Sequence, residues 1–130
     1  MLTADAFQDA GFFGNWPQYE DVAAYLQTLG EIERRHPRVL LTAHSAPLTG
    51  SEIMRRVQNA REYVAEIEQT ILAVVREAGA ACSLHDVAER AGRQLGKPYT
   101  IQGLITVDAH LRHLADQGLV ERTGTAWKAR

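Results

Sequence analysis

The stretch at residues 40–50, LLTAHSAPLTG, puts His44 directly after a run of strand-forming residues and follows it with Pro47 and Gly50. Near the amino terminus LTADAFQD, residues 2–9, does the same with a carboxylate, because Asp5 closes a short strand-like run and opens into a loop. A carboxylate and an imidazole where an apolar run opens into a loop are residue types that can do chemistry if the elements before them hold them rigidly. On residue types alone the other reading stays open, since a loop histidine is also commonly a solvated or capping residue. Phe7, Phe12, Phe13 and Trp16 form a second candidate group in a segment too apolar for a solvated loop. They suit either a lid over the following helix or an apolar face that meets a partner.

The elements that must position these residues follow from spacing. From Gln18 to about His36, Val22, Tyr25, Leu26, Leu29 and Ile32 recur at helical intervals, with Glu20 and Asp21 early and Arg34 and Arg35 late, as the helix dipole favours. Pro37 ends that helix. RVLLTA is then a short, apolar, β-prone run between Pro37 and the HSAPLTG turn, so one α/β unit is predicted. From Ser51, apolar residues at Ile53, Val57, Ala60, Val64, Ile67, Ile71, Val74 and Ala78 predict a helix of 28 residues, about 42 Å long. Its stripe fits either a coiled-coil seam or interior packing, and Met54, Tyr63, Leu72 and Val75 widen it towards the second.

The remaining segment has its own rhythm. Ser83 with Asp86 reads as an N-cap pair opening the helix LHDVAERAG, closed by Gly92. A linker RQLGKPYT follows, and Ile101, Leu104, Ile105, Leu111 and Leu114 define a helix stopped by Gly118, before LVERT, GT and AWKA form a hairpin. Helices followed by a hairpin predict a winged helix. Residues 61–130 nevertheless carry nine Lys or Arg and nine Asp or Glu, so there is no basic footprint for nucleic acid. His110 and His113 are expected on partly exposed helix surface.

Composition sets the outer bounds. At 130 residues, with 45% hydrophobic and 23% charged residues, the sequence is that of one ordinary globular domain or two very small ones. A net charge of −2 gives no global attraction to nucleic acid or anionic membranes. The lone Cys82 excludes an intramolecular disulfide and reads as a small core residue. Without a basic and apolar leader or a long apolar run, the chain is expected to be cytoplasmic and not membrane-bound.

LTADAFQ resembles the strand-end Gly-Asp motif of the metallo-β-lactamase superfamily, and PQYEDVAAYLQTLGEIERRHPRVLLTAHSAPLTG resembles its next helix, strand and Gly-His-Gly-type loop. The following segment, ILAVVREAGAACSLHDVAERAG onward to AHLRHLADQGLVER, resembles the winged-helix tail of the lactamase-beta-2-like branch. The resemblance implies a mainly helical α+β chain: residues 1–60 equivalent to the carboxy-terminal portion of the αββα fold, and 61–130 a small winged-helix domain. It makes Asp5 and His44 metal ligands of a two-zinc hydrolase of an ester, thioester or phosphodiester. Zinc in such a site lowers the pKa of its bound water to about 7.

The sequence also departs from the family. The His-x-His-x-Asp-His cluster does not occur in it, Ala4 and Ala43 stand at motif glycine positions, and Ser45 follows His44. Two ligands do not complete a zinc site. The chain is therefore expected to be inactive without the missing amino-terminal half or a second copy as partner. A fragment, a split subunit and a non-catalytic remnant all fit. The alternative function is an interaction or dimerisation module built on the winged helix, with a nucleic-acid-binding regulator third.

Overall fold

The computed structural model describes residues 1, 7, 14–43 and 45–130. Helix α1 covers Val22–Arg35, starting later than the apolar spacing suggested because Asp21 caps it, accepting a hydrogen bond from the Ala24 amide at 2.9 Å. Val22, Tyr25, Leu29 and Ile32 form its buried face, and Arg34 and Arg35 pair with Glu31 on the outside. His36 ends it at φ 45°, donating its amide to the Glu33 carbonyl, and Pro37 prevents any continuation.

Strand β1 is short, Val39–Leu40, and pairs antiparallel with β2, Leu48–Thr49, in the register Leu40↔Leu48. The sequence pattern missed β2, two residues inside what reads as a turn. On the other side of β1, the Met1 amine donates to the Val39 carbonyl at 3.0 Å and the Leu41 amide donates to the Met1 carbonyl at 2.9 Å. Those two bonds bracket Leu40 as a parallel bridge does.

Helix α2, Ser51–Ala78, has the 28 residues its spacing predicted. Its apolar stripe is covered within the chain: Ile53, Val57, Ala60, Val64, Ile67, Ile71 and Val74 are all buried, which assigns it to interior packing and leaves no free seam. Two core clusters share the helix. Up to Val64 it packs with α1, Leu40 and Leu48, and from Ile67 onward with the elements that follow it.

Those elements are β3 (Cys82–Ser83), α3 (Leu84–Leu95), α4 (Ile101–Asp116), β4 (Val120–Thr123) and β5 (Ala126–Ala129). The strands make one antiparallel sheet in the order β3-β5-β4, with Cys82 opposite Trp127 and Thr123 opposite Ala126. Cys82 is a buried core residue, as its type suggested. Ser83 caps α3 as expected, accepting from the Asp86 amide at 3.1 Å. Gly92 does not close that helix, which runs on to Leu95 and stops at Gly96 with φ 67°. Its small size has another cause: a Cβ there would lie 2.9 Å from the Lys97 carbonyl oxygen.

The chain between 14 and 20 has no regular structure and runs along α4. Trp16 is buried, and its indole Nε1 donates to the Pro98 carbonyl at 2.8 Å. Gly103 makes room for that ring, since a Cβ would meet Trp16 Nε1 at 2.5 Å. Gly103→Ala should therefore lower stability by about 1–3 kcal/mol through overpacking against an indole that cannot move away. Gly30→Ala, in the interior of α1 with its nearest neighbour an Arg61 nitrogen at 3.5 Å, should instead raise stability by about 0.5–1 kcal/mol. Urea unfolding of the two variants beside the parent checks both signs.

Candidate functional site

The loop after β1 carries the expected imidazole. Thr42 and Ser45 share a hydroxyl–hydroxyl hydrogen bond across Ala43 and His44, and Ser45 Oγ also donates to the Ala46 carbonyl at 3.2 Å. Pro47 then returns the chain to β2. Ala43 has no positive φ, so an alanine stands there without backbone strain. His44 itself, Asp5, Phe12 and Phe13 lie outside the described residues.

Trp16, the fourth of the aromatic candidates, is corrected: it is not part of an exposed face but is 1% exposed inside this chain's own core. An indole is large and apolar, and Gly103 on α4 offers it a slot, so burial within the chain outcompetes a surface position. Phe7 is half-buried against the cluster around α1, with the Arg56 guanidinium 5.7 Å from its ring centroid.

The second polar constellation was not singled out from sequence. His110 is not a surface residue but is fully buried on α4, whereas His113 is partly exposed as expected, its side chain 18% exposed. Glu68 of α2 stands between them, its carboxylate 2.9 Å from His110 Nδ1 and 2.8 Å from His113 Nδ1. On the far side of the ring, His110 Nε2 lies 2.7 Å from the Tyr19 hydroxyl. Tyr19 stacks on Tyr25 of α1 with centroids 4.7 Å apart.

Proton positions follow from these partners. An ionised carboxylate only accepts, so both Nδ1 atoms carry hydrogen and donate to Glu68. His110 Nε2 is then a lone pair that accepts the Tyr19 hydroxyl proton. Burial pushes the Glu68 carboxyl up, but the hydrogen bonds from His110 and His113 outweigh it and hold the group below the usual carboxylate value. Burial holds the His110 imidazole down, against the opposing pull of Glu68. Burial also raises the Tyr19 phenol, which stays protonated, and pushes Tyr63 up to about 12.

Every donor of this network is used internally and the ring at its centre sees no solvent, so the arrangement positions elements and does not face a substrate. Among the described residues, no group of three His, Cys, Asp or Glu side chains could hold a metal ion. Open clefts occur among the described residues. One of about 610 Å³ runs beside α1, lined by Met1, Gln27, Glu31 and Arg35. One of about 380 Å³ lies over Leu84, Leu104 and Ile105. A hollow of about 50 Å³ lies outside His113 between Asp21, Arg112 and Asp116.

The fold has relatives among solved structures. A metallo-beta-lactamase family protein from Thermus thermophilus superposes with a TM-score of 0.74 at 16% identity, over 99% of this chain and 41% of that one. A beta-lactamase domain protein from Burkholderia ambifaria gives 0.68 at 20% identity, over 88% of this chain and 35% of that one. No family model matches the sequence, and no curated protein matches it. The chain thus has the fold of part of a metallo-β-lactamase family structure and spans less than half the length of these two neighbours.

Replacing Glu68 by glutamine removes one charged acceptor that two imidazoles share and puts an amide donor against a ring N–H. Glu68→Gln should destabilise the chain by about 1.5–3 kcal/mol, the range for hydrogen bonds to a charged group. Glu66→Gln, on the exposed side of the same helix, should change stability by less than about 0.5 kcal/mol. Denaturant midpoints at neutral pH measure both.

Proposed function

We propose that this chain is the carboxy-terminal part of a zinc-dependent hydrolase of the metallo-β-lactamase fold, of the lactamase-beta-2-like branch, acting on an ester, thioester or phosphodiester. Asp5 and His44 are its two contributions to the metal site. The observation that carries the reading is the parallel pairing of Met1 with Leu40. From that bridge Asp5 lies four residues on along one segment and His44 four residues on along the other. The equal offsets in sequence agree with the resemblance, which makes both residues ligands of one site.

The order α2, β3, α3, α4, β4, β5 with one antiparallel sheet supports naming the second portion a winged helix. Two ligands are fewer than the three or four that zinc takes, so no hydrolytic step is assigned to this chain by itself. The partner that completes the site is the amino-terminal half of the fold, or a second copy. An interaction module built on the winged helix is the second reading, favoured by the exposed Tyr99, Ile101 and Ile105 at the start of α4.

Elemental analysis of the purified chain after zinc loading and desalting, run beside its solution mass, tests the first reading. About one zinc per chain or per dimer, lost in both Asp5→Asn and His44→Ala, is the expected result. Equal zinc in the parent and both variants would overturn the site assignment. A dimer without zinc, dispersed by Ile101→Asp, would favour the interaction module.

A further inference from the structure

Segment 14–20 is fastened to α4 almost turn by turn. Asn15 Oδ1 accepts from Thr100 Oγ1 at 3.3 Å, and the Trp16 indole donates to Pro98. The Pro17 carbonyl accepts from Thr106 Oγ1 at 2.7 Å, and the Glu20 carbonyl accepts from Arg112 at 2.8 Å. The Tyr19 hydroxyl donates to His110. All of these bonds are indifferent to a proton near neutrality except the last. We propose that Tyr19–His110–Glu68–His113 is a proton-operated latch: a proton taken up at His110 Nε2 unfastens segment 14–20 from α4 while the helical cores on either side stay folded.

The direction of the change follows from the hydrogen-bond balance. In the latched state Nδ1–H of His110 donates to Glu68 and Nε2 accepts from Tyr19. A proton from solvent at Nε2 turns the acceptor into a donor, so Tyr19 must turn its own proton away. Tyr19 makes no second hydrogen bond among the described residues, and a buried donor without a partner is costly. The Glu68 side of the ring gains instead, because a cation now stands 2.9 Å from a carboxylate. The α2–α4 contact is thereby held while the Tyr19 contact is lost.

The groups around the ring agree with this. From α2 it faces Glu68, with Tyr63 beyond; from segment 14–20, Tyr19; from α1, Tyr25 behind Tyr19; and from its own helix, His113. Outside His113 lie Asp21, Arg112 and Asp116. Glu68 and His113 oppose each other in their effect on an added charge, and burial sets the sign. The latched imidazole is held below the ordinary histidine value of 6.5. The latch is therefore fully fastened above that pH and loses stability as pH falls through the depressed value.

Amide hydrogen exchange of the full chain, corrected for intrinsic rates, tests the latch at about pH 7.5 and about pH 5, the span over which histidine changes charge. Peptides covering 14–20 should lose protection about tenfold or more at the lower pH, while peptides from α3 and the β4–β5 hairpin keep theirs. His110→Gln, whose amide can donate to Glu68 and accept from Tyr19 without titrating, should show equal protection at both values. Tyr19→Phe should protect the segment less, and equally, at both, and decides the matter if the glutamine variant does not fold. His113→Gln should retain the parent's response. Unchanged protection in the parent, a persisting response in His110→Gln or Tyr19→Phe, or simultaneous loss in α3 and the hairpin would each overturn the proposal.

Discussion

The fold depends on fastening an irregular, buried stretch of chain to a helix. Residues 14–20 supply Trp16 to one core cluster and Tyr19 to the other, yet no strand neighbour satisfies their backbone groups. A buried backbone without partners is excluded on energetic grounds, so side chains take that role. The Trp16 amide donates to Asn15 Oδ1 at 2.8 Å, Pro17 has no amide to satisfy, and its carbonyl is met by Thr106. Helix α4 therefore carries polar residues on a buried face. Gln102, Thr106 and His110 follow one another at intervals of four, one per turn, beneath the segment they hold.

The long helix α2 is the wall that both clusters share, and Glu68 sits on it just past the point where one cluster gives way to the other, between Val64 and Ile67 on one side and Ile71 on the other. A carboxylate there costs desolvation, which the two imidazoles offset by donating to it. Removing both imidazoles would leave the carboxylate without these donors, which is the costly case for a charge out of water. The same geometry ties α2 to α4 and, through Tyr19, to the entry of α1. Packing along the stripe sets how far apart the helices lie, and the polar network sets their register.

How much of this can be read from the sequence depends on range. Helix α2, the Ser83 cap and the hairpin are written in local spacing and appear as expected. Gly92 looked like a helix stop because glycine in a helix interior is locally unfavourable by about 1 kcal/mol. Its real constraint is the close approach of the Lys97 carbonyl, which local pattern does not show. His110 looked like surface because its partners are 42 and 91 residues away in the chain. The polar i, i+4 spacing of Thr106 and His110 among apolar residues was the available signal, for a helix face that is polar and buried must meet another polar segment. Asp5 and His44 became candidates as ligands through a resemblance, since a carboxylate or an imidazole after a short strand is common in any fold.

The chain between Leu40 and Leu48 turns without a glycine. Glycine serves at tight turns because it accepts a positive φ, and replacing it where φ is positive is strained. Between Pro37 and Thr49 no positive φ is found among the described residues. The turn is closed by side chains: the Thr42 and Ser45 hydroxyls bond to each other across the tip, Ser45 reaches the Ala46 carbonyl, and Pro47 fixes the return. A loop built this way is held at both ends by the Leu40–Leu48 pair and across its middle by one polar contact.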